Sequence, residues 1–473
     1  MKPPKSNIIC TLLLTPLATL IACNNAQPEI KPNVVIIFTD DLGFGDLSCY
    51  GNTKVTTPFI DGLAGKGILF TDAHTTSGVC TPSRYSLLTG RYCWRTFLKR
   101  NVIANGPALI EPGETTLASI FKEKGYETAV FGKWHIGHTS NRNVDYNQQP
   151  VPKNANDIGF TYSFTLPVGH FYPPYIYLEN GRVLNYDPAD PLTLEGNKQI
   201  GGKSYSYDPH DVTPELVNRS LKYMTEHRDK PFFLFLSLPN VHDPLTPSKA
   251  FSGNSVGLYG DYIDEMDWAV GEVLGKLKDL GLEENTIVIF TSDNGASEPN
   301  SRDVKDFYNP NHPLRGDKGD LYEGGHRIPF IIRWPGHTPA GTVSDEFIIF
   351  TDLLVTFADI INRDLGENEA ADGNNILAAL KGKKNVLPDR PMVIQSRNGM
   401  YGLRQGDWMY LHGPGNGDER NQKYAKPKEK ITNGQLFNLK EDLHQDHNLA
   451  DQIPERVENM RLELERIVGN DAD

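Results

Sequence analysis

The chain has 473 residues, which is long enough for a large hydrophobic core and one to three domains. A hydrophobic content of 38% and a charged content of 23% are typical of a globular protein. The formal net charge of -13 argues against nucleic acid or another extended polyanion as a partner, so an anionic substrate would need a local positive pocket.

The N-terminus has the pattern of an export signal. Two lysines precede an apolar run over residues 8–22, which is too short and wrongly flanked for a membrane span. The run ends in L-I-A-C and resembles a bacterial lipobox, which predicts a signal peptide over 1–22, lipidation of Cys23 and a tether over 23–32. We expect export to the bacterial periplasm or cell surface with a lipid anchor; an ordinary signal peptide with an incidental cysteine is the alternative.

The cysteines do not form a disulfide framework. Cys10 would leave with the signal peptide and Cys23 would carry lipid, so three cysteines remain. Cys49 and Cys93 could pair in an oxidising compartment, but we favour two buried thiols. In either case Cys80 remains unpaired.

Continuous apolar runs alternate with amphipathic segments in the first three quarters of the chain. Apolar runs without polar alternation predict strands buried on both faces, and the segments between them predict helices. The predicted strands cover residues 33–39, 127–131, 232–238, 286–291 and 328–334, and the predicted helices cover 116–124, 214–227 and 262–280. This order predicts an α/β domain over 33–371 with a mostly parallel sheet flanked by helices.

Two regions depart from this alternation. Residues 141–211 are rich in Pro, Tyr, Asn and Gly, which predicts an excursion or lid over the pocket. Beyond residue 371 the chain predicts a smaller C-terminal α+β subdomain over 372–473. Its expected elements are antiparallel strands over 392–396, 401–404, 408–412 and 435–439, followed by a helix over 454–468.

Oxygen-bearing side chains follow two of the predicted strands. Asp40 and Asp41 come after the first strand, and Asp293 and Asn294 come after the strand over 286–291. Ligands of α/β sheets bind beyond the carboxyl ends of the strands. Two strand ends that offer carboxylate and amide oxygens favour a divalent cation, Ca²⁺ before Mg²⁺; an Asp-rich turn is the alternative.

Basic side chains follow other strands. Lys133 and His135 alternate in G-K-W-H-x-G, so they could point the same way in extended backbone. His242 follows the strand over 232–238, and Lys318 lies in a Gly-rich charged loop before the strand over 328–334. Taken singly, these side chains could be a surface lysine, a packed histidine and part of a flexible loop.

The segment C-T-P-S-R at residues 80–84, taken with these motifs, resembles the signature of type I sulfatases, whose cysteine is oxidised to formylglycine. The order of D-D-x-G-x-G-D, C-x-P-S-R, G-K-W-H-x-G and R-G-x-K…E-G-G-x-R-x-P is similar to the arylsulfatase A and N-acetylgalactosamine-6-sulfatase branch. The similarity covers residues 33–381 and a segment over 435–450. It implies an alkaline-phosphatase-like fold and a sulfuric ester hydrolase.

The resemblance also implies roles for the matching residues. Cys80 would be converted by a maturase, and its formylglycine hydrate would attack sulfur while Arg84 and Lys133 hold it. Lys318 would bind sulfate, Lys318 or His242 would protonate the leaving oxygen, and His135 would act as the base. The implied Ca²⁺ ligands are Asp40, Asp41, Asp293, Asn294 and the modified Cys80.

The resemblance implies a sulfated glycan as substrate, cleaved from a chain end if the site is a pocket. His170, His326 and Arg95 are candidates for contacting the sugar, although ordinary loop packing would explain each of them. The sugar, the position of its sulfate and the oligomeric state stay open. The alternatives are a phosphonate monoester hydrolase or phosphodiesterase of the same superfold, and a non-catalytic glycan-binding lipoprotein.

Overall fold

The structure is a computed structural model. It describes residues 1, 31–139, 144–297, 304, 306–415 and 434–469. Apart from Met1, the predicted signal peptide lies outside the described residues, and so does Cys23.

Strands and helices alternate over most of the described chain. In chain order, the strands are β1 (Asn33–Thr39), β2 (Ile68–Phe70), β3 (Ala73–His74), β4 (Glu127–Lys133), β5 (Tyr162–Leu166), β6 (Leu178–Glu179), β7 (Arg182–Val183), β8 (Thr193–Glu195), β9 (Lys198–Ile200), β10 (Phe232–Ser237), β11 (Thr286–Ser292), β12 (Phe330–Arg333), β13 (Thr342–Ser344), β14 (Ile348–Ile349), β15 (Pro391–Gln395), β16 (Tyr401–Gln405), β17 (Trp408–Leu411) and β18 (Gln435–Asn438). The α-helices are α1 (Pro58–Gly65), α2 (Cys80–Thr89), α3 (Leu117–Glu123), α4 (Val212–Glu226), α5 (Gly257–Asp279), α6 (Glu323–His326), α7 (Thr351–Ile360), α8 (Leu377–Leu380) and α9 (Pro454–Val468).

The predicted α/β architecture is confirmed. Within the described residues, the largest sheet has ten strands in the order β13-β2-β12-β11-β1-β10-β4-β5-β6-β7. The neighbouring strands β11, β1, β10, β4 and β5 are parallel, whereas β12 is antiparallel to β11. Because these five neighbouring strands are parallel, their carboxyl ends lie at one edge of the sheet, where ligands bind in such sheets.

Alternate residues of β1 face two separate cores, because successive side chains of a strand point to opposite faces. Val34, Ile36 and Phe38 pack in the core that includes α2, α3 and α7. Val35 and Ile37 pack in the core that includes α1, α4 and α5. Helices therefore cover both faces of the sheet, which explains why this strand is a continuous apolar run in the sequence.

The region over 141–211 differs in part from the predicted excursion. Tyr162–Leu166 forms β5 and extends the main sheet in parallel beside β4. The strands β6 and β7 continue that sheet, and β8 and β9 form a separate hairpin. The run Y-S-F-T-L mixes polar and apolar residues, so it lacks the continuous apolar pattern that identified the other parallel strands.

The C-terminal part contains the predicted antiparallel sheet, in the order β15-β16-β17-β18, and the terminal helix α9. Its first strand reaches the segment that precedes α2. The Gln395 amide donates to Thr76 O at 3.0 Å, and the Gly78 amide donates to Gln395 O at 3.1 Å. The C-terminal sheet thereby braces the backbone two residues ahead of Cys80.

The three cysteines among the described residues are unpaired. Cys49, Cys80 and Cys93 are free thiols, as predicted, although Cys49 is only half-buried. Within the described residues, no helix is long and apolar enough to cross a membrane.

Gly132 is required where β4 meets β10. Its φ is +106°, and an added Cβ would lie 1.9 Å from Ser237 O. We expect Gly132→Ala to lower the free energy of unfolding by about 1–2 kcal/mol through backbone strain and by a further 1–3 kcal/mol, approximately, through the clash. Urea unfolding followed by circular dichroism measures this loss.

Gly51 is the matched control, because its φ is +102° and no described atom lies within 4 Å of an added Cβ. Gly51→Ala should show the strain alone. Equal losses for the two variants would contradict the interpretation.

Candidate active site

The carboxyl ends of β1, β4, β10 and β11 bring buried charges together. Asp40 follows β1, and Lys133 is the last residue of β4. The Lys133 ammonium donates to both carboxylate oxygens of Asp40, at 2.8 and 2.7 Å. Both side chains are fully buried, so each charge depends on the other for stabilisation.

Arg84 joins three strand ends from α2. Its Nε donates to Asp293 Oδ2 at 2.9 Å, beyond the end of β11. Its Nη1 donates to Ser237 Oγ at 2.6 Å and to Lys133 O at 3.0 Å. Ser237 ends β10 and also donates to Lys133 O, at 2.8 Å. The sequence did not single out Ser237, because one serine at the end of an apolar strand carries no separate signal.

Cys80 begins α2, one helical turn before Arg84, so the two side chains lie on the same side of the helix. Cys80 is 2% exposed. The ligand atoms of Cys80, Asp40 and Asp293 all lie within 4.8 Å of one another. The helix N-terminus favours negative charge at this position. The predicted cysteine, arginine and carboxylates therefore meet in one place.

Asp41 connects the strand ends to the Gly-rich loop. Its backbone has φ +60°, and Lys318 Nζ lies 2.5 Å from its Oδ1. Asn294 Nδ2 donates to the same oxygen at 2.7 Å. Burial alone would raise the pKa of Asp41, but Lys318 and His242 outweigh burial and hold this pKa below its usual value. Burial alone would lower the pKa of Lys318, but Asp41 outweighs it and raises that pKa.

The donor set fits a divalent cation. Asn294 Oδ1 is buried and has no hydrogen-bond partner among the described residues, which is costly unless a cation or another donor contacts it. The charges of this cluster balance: its three carboxylates are offset by three buried cationic side chains, in the pairs Asp40–Lys133, Asp293–Arg84 and Asp41–Lys318. A divalent ion would therefore give the cluster the net positive charge that an anionic ester needs. The oxygens that could hold such an ion belong to Asp40, Asp41, Asp293 and Asn294.

His135 is placed to accept a proton. Its backbone has φ +57°, and its Nδ1 is buried without a hydrogen-bond partner in the part of the chain that the structure describes. Burial, followed by the charges of Lys133 and Arg84, holds the pKa of His135 well below its usual value. A neutral imidazole with an unbonded nitrogen is suited to act as a base.

His242 lies beside Asp41. Its Nδ1 lies 2.6 Å from Asp243 O, and because a carbonyl only accepts, Nδ1 must carry the proton. Its Nε2 lies 3.6 Å from Asp41 Oδ2 and points to the same cluster. Burial and the Lys318 ammonium hold the pKa of His242 well below its usual value before any anion binds.

The three candidate sugar contacts have different positions. His170 is 1% exposed, and its Nε2 bonds to Pro244 O at 2.9 Å, next to the segment that carries His242. Arg95 forms an ion pair with Asp372, at 2.6 Å.

His326 lies in a second buried cluster. Its Nδ1 is 3.0 Å from Nδ1 of His74, whose Nε2 is 2.7 Å from Asp72 Oδ1. His74 and His326 also lie close to Glu323. The ion pair of Arg95 with Asp372 and the contact of His326 with His74 therefore lie apart from the charges at the strand ends.

The fold and the charged pocket at its strand ends define a hydrolase of the alkaline-phosphatase-like class. The sequence profile of the sulfatase family matches residues 32–362. The chain is 35% identical to an N-acetylgalactosamine-6-O-sulfatase of Bacteroides thetaiotaomicron, over 96% of this chain and 98% of that protein. It is 34% identical to the N-acetylgalactosamine-6-sulfatase of Canis lupus familiaris, over 80% of this chain and 71% of that protein.

A solved structure agrees with these sequence matches. A Bacteroides thetaiotaomicron sulfatase, reported in connection with the metabolism of multiple glycosaminoglycans, superposes with a TM-score of 0.85 at 33% identity, over 93% of this chain and 99% of that chain. The chain belongs to the type I sulfatase family and is a sulfuric ester hydrolase.

The oxygen cluster predicts that a divalent cation stabilises the folded protein. We expect Ca²⁺ at a hundredfold excess over its dissociation constant to add about 2.7 kcal/mol of stability, because it binds only the folded state. Asp41→Asn should reduce this effect, since it removes one carboxylate charge. Thermal unfolding with and without Ca²⁺ after treatment with a chelator measures both values.

Asp46 provides the control. It is a buried carboxylate of the same segment, but it accepts from Tyr259 Oη at 2.8 Å and from the Gly43 amide at 2.7 Å. Asp46→Asn should retain the response to Ca²⁺. An unchanged response in Asp41→Asn would contradict the assignment of the site.

Proposed function

We propose that the protein hydrolyses sulfate esters of carbohydrates with a formylglycine derived from Cys80 and with Ca²⁺. One observation carries this proposal: Cys80 starts α2 within 4.8 Å of the carboxylates of Asp40 and Asp293. Arg84 lies on the same helix, and its guanidinium binds Asp293. The motif that a maturase would read is therefore built into the charged cluster at the strand ends.

The substrate class is supported by the relatives. Both N-acetylgalactosamine 6-sulfatases described above are at least 34% identical to this chain. We propose N-acetylgalactosamine 6-sulfate, free or at the end of a glycosaminoglycan, as the first substrate to test. Removal from a chain end fits a reactive centre whose groups are largely buried, because only a terminal residue can enter a closed pocket.

A formylglycine and a divalent cation would supply part of the chemistry, and the side chains of the protein would supply the rest. A formylglycine hydrate at position 80 supplies the nucleophile, and a divalent cation supplies positive charge against the sulfate. Lys133 and Arg84 hold the carboxylates of Asp40 and Asp293 in place by direct ionic contacts. Lys318, whose ammonium contacts Asp41, would bind a sulfate oxygen.

Two histidines would move protons. With Nδ1 of His242 committed to Asp243 O, only Nε2 can deliver a proton to the leaving oxygen. Nε2 is unprotonated in the neutral ring, so it would first take up a proton as the bound anionic ester increases its proton affinity, and would then deliver that proton. His135 Nδ1 is the atom that would take a proton during release of sulfate. General acid or base assistance of this kind contributes roughly 10²–10⁴-fold to the rate.

The function predicts that Cys80→Ala abolishes turnover of N-acetylgalactosamine 6-sulfate, whereas Cys93→Ala, which alters another buried free thiol, retains it. Mass spectrometry of the peptide that contains residue 80 should show conversion of the thiol to an aldehyde in active wild-type protein. Sulfate release from a panel of sulfated mono- and oligosaccharides identifies the substrate.

The same panel should include phosphate and phosphonate esters. Faster turnover of a phosphonate monoester or phosphodiester than of any sulfate ester would support that alternative instead. Glycan binding without hydrolysis of any ester, in protein with a confirmed aldehyde, would support a non-catalytic glycan-binding protein. Full activity in Cys80→Ala would exclude the proposed nucleophile.

We further propose export and lipid anchoring through Cys23. The support is the L-I-A-C sequence after a basic and apolar N-terminus. In a bacterial host, Cys23→Ser should move the protein from the membrane fraction to the soluble fraction and abolish labelling with a fatty acid. Cys10→Ser is the control, since Cys10 lies inside the proposed signal peptide. Membrane retention of Cys23→Ser would argue against the anchor.

A further inference from the structure

Phe171 borders the catalytic cluster in a way that the sequence did not reveal. Its ring stacks on the imidazole of His242, with ring centroids 3.9 Å apart and planes inclined by 15°. The Lys133 ammonium lies 5.1 Å from the centroid of the same ring. The His135 ring approaches it edge-on, at 6.0 Å between centroids. One aromatic ring therefore lies beside three side chains to which the proposed function gives a role.

The backbone beside this ring leaves room for it at Gly169. A Cβ at Gly169 would lie 2.5 Å from a ring carbon of Phe171, so only glycine leaves the space that the ring occupies. The neighbouring His170 bonds to Pro244 O at 2.9 Å. That contact ties the loop of Phe171 to the loop of His242, so the two stacked rings are held in a constant relation.

The polar contacts of His242 do not by themselves fix the rotation of its ring. Nδ1 bonds to the carbonyl of the following residue, Asp243, at 2.6 Å. Nε2 lies 3.6 Å from Asp41 Oδ2, which is beyond hydrogen-bond distance. The terminal torsion of a histidine has broad wells, so these contacts allow the ring to turn. The parallel face of Phe171 opposes that rotation, and aromatic pairs of this kind add about 0.5–1.5 kcal/mol beyond their buried area.

We propose that Phe171 is a positioning residue that holds His242 in the orientation needed to deliver a proton from Nε2 to the leaving-group oxygen. The inference rests on the proposed function in taking His242 as the proton donor. In this step the nucleophile at position 80 would form a bond to sulfur as the bond from sulfur to the leaving oxygen breaks, and the electron pair of the broken bond stays on the leaving oxygen. That oxygen takes a proton from Nε2, which His242 would have gained when the anionic ester bound, and His242 becomes neutral again with its proton on Nδ1. If the His242 ring turns away from the leaving oxygen, the proton transfer is lost, while the contacts of Lys318 with sulfate remain.

The dependence on the leaving group separates this role from a general structural role. A phenol with an electron-withdrawing substituent leaves without help, whereas an ordinary phenol or a sugar alcohol requires protonation. Loss of positioning at His242 should therefore slow esters of poor leaving groups selectively. General damage to the pocket should slow all esters alike.

The test compares phenyl sulfate with 4-nitrophenyl sulfate in aldehyde-containing wild-type protein and in Phe171→Ala, Phe171→Leu and Phe171→Tyr. For the Ala and Leu variants we expect kcat on phenyl sulfate to fall about 10–100-fold and kcat on 4-nitrophenyl sulfate to fall less than about threefold, with KM nearly unchanged. Phe171→Tyr keeps an aromatic ring and should retain both rates. Phe97→Ala removes a ring that is 57% exposed and serves as the control for loss of an aromatic side chain.

A double-mutant cycle with His242→Ala shows whether the effect passes through the histidine. If Phe171 acts through His242, then Phe171→Ala should cost almost nothing further in the His242→Ala background. Equal losses on the two aryl sulfates, full additivity in the cycle, or failure of Phe171→Tyr to restore activity would each overturn the proposal. Because these measurements use aryl sulfates, they are independent of whether N-acetylgalactosamine 6-sulfate is a substrate, which is decided by its own assay.

Discussion

Six buried charges at the ends of four parallel strands constrain the whole structure. Three carboxylates and three cationic side chains lie away from solvent, and an unpaired charge there would cost several kcal/mol. Each charge is consequently held by a partner from another strand, helix or loop: Asp40 by Lys133, Asp293 by Arg84 and Asp41 by Lys318. The sheet, α2 and the Gly-rich loop must all be in place before this set is balanced.

The backbone at the site shows the same constraint. Asp41 and His135 both have positive φ, which costs free energy in residues other than glycine and persists only where the surroundings hold it. Gly132 precedes Lys133 where β4 passes within contact distance of β10. The C-terminal sheet adds a further support, because Gln395 bonds to the segment just before α2. The sheets and helices thus keep the charged side chains at the strand ends in contact with one another.

Position also separates the roles of similar residues. Lys133 and Lys318 are both buried lysines, but Lys133 binds the inner carboxylate of Asp40 and Lys318 binds Asp41, beside His242. His135 and His242 are both neutral imidazoles in the absence of an anion, yet one has a bare Nδ1 and the other uses Nδ1 as a donor. Nδ1 of His135 is therefore free to accept a proton, whereas His242 would deliver one from Nε2 only after an anion binds and that nitrogen is protonated.

The sequence alone determined the central architecture and most of the charged cluster. Strands buried on both faces are continuous apolar runs, and residues just beyond their carboxyl ends must lie at one edge, so Asp40, Lys133 and Asp293 could be brought together from a one-dimensional pattern. The short motifs also identified Cys80, because its neighbours in sequence carry the signal. The strand β5 was missed because its polar and apolar residues alternate without a clear run.

Only the tertiary structure decided contacts between loops that are distant in the chain. Phe171 stacks on His242 although they lie far apart in the chain, and Ser237 meets Arg84 across a gap of 153 residues. His170 was selected as a possible sugar contact, yet its ring bonds to Pro244 O while its neighbour borders the cluster. Loop conformation decides which of two adjacent side chains faces a pocket, and that depends on packing against other segments, which periodicity and motif spacing do not encode.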